Sequence, residues 1–261
     1  MLDYHLHLWP HNESSVWYRL DQIAQYCEEA ASQGVGELAL TEHANRFVDV
    51  MDLVGPFWQR AGHEPTSVTM ANYMDWHARN ALDDYVTLAQ SAKDEGLPVK
   101  MGLEVDYCPG RMDALGELFA QYPFDVLIGS VHWLGTWTFD DFDNPVVAEV
   151  WRQRDVDEVW AEYSRALDEL AATGCVDVLA HPDLAKVAGY VPADPRPYWD
   201  AMTEAAARAD VSVECSSAGW KKPIGEQYPA EGLLDRFVAR GLTFTTASDA
   251  HARDRVGERA H

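Results

Sequence analysis

Ten histidines punctuate the 261-residue chain, and six of them, with Glu104 and Asp249, stand in short motifs that could pool their chemistry. His5 and His7 form an H-x-H at the end of an apolar run. Side chains two apart on a strand point the same way, so this pair can bind one metal ion. His43 closes Leu-Thr-Glu-His, Glu104 lies in Met-Gly-Leu-Glu-Val-Asp, His132 in Gly-Ser-Val-His and His181 in Leu-Ala-His-Pro-Asp. Asp249 and His251 come last, in Ala-Ser-Asp-Ala-His, again two apart. Taken singly, each reads as an ordinary core or surface residue. Taken together, a His-plus-carboxylate set without thiolates suits zinc, manganese or iron better than calcium or magnesium. The set is too large for one ion. Two or three divalent ions sharing a bridging carboxylate would satisfy it, and Glu104 is the best-placed bridge.

The elements that must position these groups follow a regular alternation. Strands are expected over residues 2–5, 37–41, 99–105, 125–130, 176–180, 211–215 and 243–247. Between the first two, Leu20, Ile23, Ala24, Cys27, Ala30 and Ala31 keep the i, i+3, i+4, i+7 rhythm of one helix face, and Gly34 then serves as a C-terminal cap. Similar stripes precede or follow the other strands. Seven β-then-α units without a composition break predict a parallel α/β architecture, a barrel or a doubly wound sheet, as a single domain over residues 1–261. At six of the seven strands a His, Asp or Glu sits at or just past the C-terminal end, where such folds place their active sites. Residues 48–69 and 133–145 break the alternation and read as pocket walls or long surface loops. The residues after 251 read as the start of a short final helix.

Composition narrows the partners. Twenty Lys and Arg against 43 Asp and Glu leave a formal charge of −23, which repels nucleic-acid backbones and anionic membranes. Neither is an expected partner. The four cysteines, Cys27, Cys108, Cys175 and Cys215, are scattered and form no C-x-x-C pair, as in a reducing compartment. With no signal-peptide pattern and no long apolar run, a cytoplasmic location is expected. Oligomeric state is not legible.

The ordered motifs H-x-H, E-H, a lone Glu, S-x-H, H-P-D and S-D-A-H, spread from His5 to His251, resemble those of the PHP (polymerase and histidinol phosphatase) superfamily. Three further stretches look most like its histidinol-phosphate phosphatases: His181-Pro-Asp-Leu-Ala-Lys186, Glu214-Cys-Ser-Ser-Ala-Gly-Trp-Lys-Lys-Pro-Ile-Gly-Glu-Gln-Tyr-Pro229, and Ser248-Asp-Ala-His-Ala-Arg-Asp-Arg-Val-Gly257. The middle stretch departs from that branch where Ser216 stands for the usual Asn. The resemblance implies a distorted (β/α)7 barrel with its active site at the C-terminal strand ends. It also implies a trinuclear metal site that hydrolyses a small phosphorylated substrate, L-histidinol phosphate above all. His5, His7, Glu104 and Asp249 would hold the first ion. Glu104 would bridge to a second, also held by His132 and His181, and His43 and His251 would hold a third. The third needs one more ligand from the loop after H-x-H: Glu13 by the family's spacing, or His11 if that loop is shortened by two residues, the reading we favour.

Arg46, Lys186, Lys222 and Arg253 lie close in sequence to the motifs and are candidate phosphate binders, with Arg253 also a catalytic candidate; each reads equally as surface charge. Asp183 is a second catalytic candidate: it could orient a ligand imidazole, protonate the leaving group, or simply cap the helix that follows. Trp133, Trp137, Phe139 and Trp220 could pack on a flat substrate ring or in the core, and Asp140, Asp141 and Asp143 could attract a cationic amine. Rival readings are a PHP phosphoesterase acting on nucleotides or other small esters, and a non-catalytic PHP-like binding domain. A metal-dependent amidohydrolase fits less well, because no lysine stands at a strand end except Lys100, one turn early.

Overall fold

A computed structural model of the protein describes residues 1–11, 13, 16–59 and 64–258. Its strands are β1 (Leu2–Leu6), β2 (Glu37–His43), β3 (Val99–Asp106), β4 (Val126–Ser130), β5 (Trp133–Leu134), β6 (Trp137–Thr138), β7 (Val178–Leu179), β8 (Ser212–Ser216) and β9 (Phe244–Ala247). The helices are α1 (Leu20–Ser32), α2 (Val48–Gln59), α3 (Pro65–His77), α4 (Leu82–Asp94), α5 (Met112–Phe119), α6 (Pro145–Gln153), α7 (Val156–Ala172), α8 (Arg196–Ala209) and α9 (Glu231–Arg240). Seven strands pair in parallel in the order β1-β2-β3-β4-β7-β8-β9. The two edge strands approach each other. Asp249 N donates to His5 O at 2.8 Å and His7 N to Ala250 O at 2.8 Å, so the sheet is a nearly closed barrel of seven strands.

Two apolar layers hold this shape. The larger one lies between strands and helices and includes Leu38, Leu40, Met101, Leu103 and Val105. A smaller cluster of Ala39, Val126, Ile128, Val178 and Ala180 shares strand faces with Thr41, His43 and Ser130 by the two-residue alternation. It therefore fills the barrel interior and leaves the C-terminal rim to polar residues. Helix ends are set by local chemistry: Asn144 and Asp155 cap the N-termini of α6 and α7, accepting from Val146 N and Glu158 N, both at 3.1 Å. Gly241, at φ 81°, ends α9 in a left-handed conformation that only glycine adopts without strain.

The expected strands appear within a few residues of their predicted bounds, the fifth shortened to Val178–Leu179. Of residues 48–69, read as a wall or loop, Val48–Gln59 form α2 and Pro65 to Thr69 the first turn of α3, so these parts are helical rather than a loop; residues 60–63 lie outside the described residues. In the second irregular segment, Trp133 to Thr138 fold into an antiparallel hairpin that turns at Gly135 and leads into α6. After β9 the chain makes a single 3-10 turn at Arg253–Arg255. Among the described residues, no helix is long and apolar enough to cross a membrane.

Candidate metal centre

Every barrel strand delivers a polar side chain to the same rim. His5 lies on β1 with His7 just beyond it, His43 ends β2, and Glu104 sits on β3 directly opposite His43 in the strand register. His132 follows β4, His181 follows β7, Glu214 lies on β8, and Asp249 and His251 follow β9. His5, His7 and Glu104 are almost wholly enclosed, whereas Asp249 keeps 19% of its side chain exposed at the mouth. Two of these residues sit in strained backbone. Asp249 (φ 52°) and His181 (φ 25°) occupy positive φ, which costs a non-glycine residue of order 1–3 kcal/mol and persists only where surroundings impose it.

The spacing of the donor atoms bears on metal binding. Two ligands about 2.0–2.1 Å from one zinc at a tetrahedral angle stand about 3.4 Å apart. His5 Nε2 is 3.1 Å from His7 Nε2, and Asp249 Oδ1 lies 3.6 and 3.4 Å from these two nitrogens. Around Glu104 Oε1, the Nε2 atoms of His181, His5 and His132 stand at 3.2, 3.5 and 3.5 Å. His43 Nε2 and His251 Nε2 are 3.2 Å apart. Three overlapping groups therefore satisfy the distances for shared ions: His5, His7 and Asp249; His5, Glu104 and His181; and His7, His43 and His251. Glu104 Oε2 is buried without an aligned hydrogen-bond partner, 2.7 Å from His43 Nδ1. Facing imidazole nitrogens and an orphaned carboxylate oxygen fit divalent cations, since neither arrangement is satisfied by the protein alone.

Electrostatics agree with the donor geometry. Burial alone would raise the Glu104 carboxyl, but the imidazoles of His5, His132 and His43 hold it well below the usual carboxylate range. Asp249 is lowered in the same way, His5 and His7 outweighing its burial. Burial opposes charge on His132 as well, yet Glu104 and Asp106 bring it up to about 10. Burial and the neighbouring His7 hold His43 down to about 4.

Of the two loop candidates, the structure places His11 against the cluster. Its ring stacks on His251 with centroids 4.0 Å apart and lies 5.0 Å from that of His43. Glu13 has an exposed side chain, and its carbonyl oxygen receives Arg46 Nη1 at 2.9 Å. Two of the candidate phosphate binders are not free cations. Arg46 is fully buried, donating to Glu42 Oε1 (2.8 Å) and to the carbonyls of Trp9, Pro10 and Glu13, so its fork is spent on protein groups. Lys186 is also buried, bound to Asp183 (2.9 Å), Glu226 (2.9 Å) and Gln227 O (2.6 Å). Lys222 is exposed. Arg253 is exposed beside His251 on a cleft of about 800 Å³ that Trp17, Arg19 and Gln25 also line. Asp183 makes no side-chain capping bond, so the helix-cap reading is set aside. Trp133, Trp137 and Phe139 are core residues, while Trp220 remains half exposed.

Several residues that support the site carried no role in the sequence reading. Glu214 Oε2 stands 2.8 Å from His5 Nδ1, Asp106 Oδ1 is 2.6 Å from His132 Nδ1, and Glu42 Oε1 is 3.5 Å from His7 Nδ1. His77, on the last turn of α3, lies 2.8 Å from His11 O. Tyr228 packs beside His181, ring centroids 6.1 Å apart.

Comparison with known proteins follows the same lines. Residues 4–218 match the PHP domain family, and the chain belongs to that family. A "Probable histidinol-phosphatase" of Deinococcus radiodurans is 29% identical over 239 residues, covering 90% of this chain and 82% of its own. The HisK protein of Listeria monocytogenes superposes with a TM-score of 0.78 at 19% identity, over 98% of this chain and 97% of the other. The histidinol phosphate phosphatase HisK of Lactococcus lactis, crystallised with zinc, L-histidinol and phosphate, gives 0.69 at 21% identity over 97% and 87%. At these identities the two structures establish a common fold.

Proposed function

We propose that the protein is a metal-dependent phosphomonoester hydrolase whose preferred substrate is L-histidinol phosphate. The observation that carries this reading is the convergence of six histidines, Glu104 and Asp249 on one rim at ligand-to-ligand spacing. Support for the substrate comes from the "Probable histidinol-phosphatase" relative and from the neighbour crystallised with zinc, L-histidinol and phosphate. His5, His7, Glu104 and Asp249 would hold one ion, Glu104 with His132 and His181 a second, and His43, His251 and His11 a third. Two or three zinc, manganese or iron ions there supply Lewis acidity, making water nucleophilic near neutral pH and offsetting charge on phosphoryl oxygens.

The chain's own residues perform the rest. Glu214 and Asp106 stand behind His5 and His132 and would fix which imidazole nitrogen faces the centre, and Glu42 lies 3.5 Å behind His7 Nδ1. Arg253, on the cleft beside His251, would donate charge-assisted hydrogen bonds to phosphate oxygens. Enclosure of the rim strengthens both effects by keeping bulk water from the polar groups.

Metal content per chain, measured together with phosphate release, tests the proposal. At least two bound ions are expected, with turnover of L-histidinol phosphate preferred at least about tenfold, some 1.4 kcal/mol, over 3′,5′-bisphosphates and sugar phosphates. His5→Ala and Asp249→Ala should each abolish turnover. Fewer than two ions, or activity surviving both substitutions, would refute the chemistry. A different preferred ester would refute only the substrate.

A further inference from the structure

Asp183 and Lys186 hold one particular segment of chain. Lys186 Nζ donates to Gln227 O and pairs with Glu226, while Asp183 Oδ2 accepts from Ala230 N at 2.8 Å and from Lys186 at 2.9 Å. Between these anchors stands Tyr228. Its backbone exchanges hydrogen bonds with Ser216 at the C-terminal end of β8, Ser216 N to Tyr228 O at 2.7 Å and Tyr228 N to Ser216 O at 3.0 Å. The phenol ring therefore sits at the same barrel rim as the histidines, beside His181. Room for it comes from Gly219, where an added Cβ would lie 3.0 Å from the ring. Lys186 Nζ covers the ring 5.1 Å from its centroid.

These contacts fix the segment that carries a side chain whose polar end has no partner among the described residues. Tyr228 is 1% exposed, and its hydroxyl has no hydrogen-bond partner among the described residues. A buried hydroxyl left unpaired costs about 1–3 kcal/mol, so a partner is expected in the working molecule. The phenol offers an O–H donor there.

We propose that Tyr228 is a catalytic residue whose hydroxyl donates a hydrogen bond, and then its proton, to the leaving oxygen of the phosphomonoester, with Asp183 and Lys186 as its positioning residues. The inference rests on the phosphomonoesterase reading above. As water oxygen bonds to phosphorus, the bond from phosphorus to the alcohol oxygen breaks and leaves its electron pair on that oxygen. The phenolic proton passes to it and the alcohol departs. The attacking water loses a proton to solvent, and solvent returns one to the phenolate, so the net reaction is ester plus water to alcohol plus phosphate.

Tyr228→Phe removes only the unpartnered oxygen, so metal content should be unchanged and the melting temperature should not fall. With wild-type protein loaded with metal, kcat/KM is compared on L-histidinol phosphate, whose alcohol is a poor leaving group, and on 4-nitrophenyl phosphate, whose phenolate leaves without a proton. The variant should lose about 100-fold on the first, within the usual range for a general acid, and less than about threefold on the second. On L-histidinol phosphate alone, the same loss should appear as a larger ¹⁸O isotope effect at the bridging oxygen. Equal losses on both esters, no loss on either, loss of metal, or an unchanged isotope effect would overturn the proposal. A wild-type protein that hydrolyses neither ester would instead overturn the phosphomonoesterase reading.

Discussion

Glu214 makes two contacts at the centre of the site: one oxygen takes His5 Nδ1 at 2.8 Å, and the other accepts from His181 N at 3.1 Å. The second bond matters because His181 is one of the two strained residues on the rim, and an anchored amide helps impose its conformation. Glu214→Gln keeps the shape but offers a single carbonyl acceptor where a carboxylate offered two oxygens. Its NH2 would then face either the His5 nitrogen or the His181 amide. Metal affinity should fall about 10–100-fold, measured by competition against a chromophoric chelator, and an unchanged affinity would count against this role. The candidate ligands gathered at the strand ends were legible in the sequence because each lies in a short motif there, where the two-residue alternation and the C-terminal-end rule both apply. Glu42, Asp106 and Glu214 each stand in one of those motifs or in the stretch that ends at Pro229, but nothing local marks a carboxylate that backs an imidazole among 43 acidic residues, so their contacts were not legible. A partial signal existed for Asp106, which lies two residues after Glu104 on the same strand face.

Arg46 shows what an element does to a residue that sequence distance places well. It lies three residues after His43, but the 3-10 turn Ala44–Arg46 sends its side chain under the loop that follows H-x-H. There it ties Trp9, Pro10 and Glu13 to Glu42, and so positions the loop carrying His11. Arg46→Ala would leave Glu42 buried without its cation, and breaking such a pair costs about 3–5 kcal/mol, readable in urea denaturation of the metal-free protein. Burial would raise Glu42, but Arg46 and His7 hold it down to about 2 from 4.5. Because the folded state binds this proton less readily, the pair's stabilisation is complete above about pH 4.5 and disappears as pH falls to about 2. The variant should therefore lose that portion of the acid transition, and an unchanged profile would refute the clamp. At this scale the strands were legible from apolar runs, but α2 and α3 were not. Gly55-Pro56 reads as a helix breaker inside α2. The buried residues of α3 include polar Ser67 and His77 beside Met70 and Met74, so no clean apolar stripe marks its inner face.

Across the whole molecule, barrel closure and metal binding depend on the same place. The β1/β9 seam is joined by Asp249 N to His5 O and His7 N to Ala250 O. It is also latched by Asp3, which accepts from Ser248 N (2.9 Å), Ser248 Oγ (2.6 Å) and Gly257 N (2.8 Å). None of these extends into a regular ladder like that of β2 with β3, where six residue pairs stay in register. Four of the proposed ligands flank this weak line: His5 and His7 on one side, Asp249 and His251 on the other. Without cations, the rings of His7 and His251 face each other across it with no donor to share between their lone pairs. With them, one ion is held from both edges and acts as a cross-link. At free ion about 1,000 times Kd, binding to the folded state alone adds about 4 kcal/mol, on the order of 10 °C in melting temperature for a chain of this size. Chelation of the loaded protein should therefore lower the melting temperature. Amide exchange should accelerate first at residues 5–7 and 247–251, while β3 and β4 stay protected. If chelation leaves the melting temperature unchanged, or speeds exchange evenly around the barrel, the ions do not close the seam. A localised loss there would mean that the formal −23 leaves out charges on which the fold itself depends.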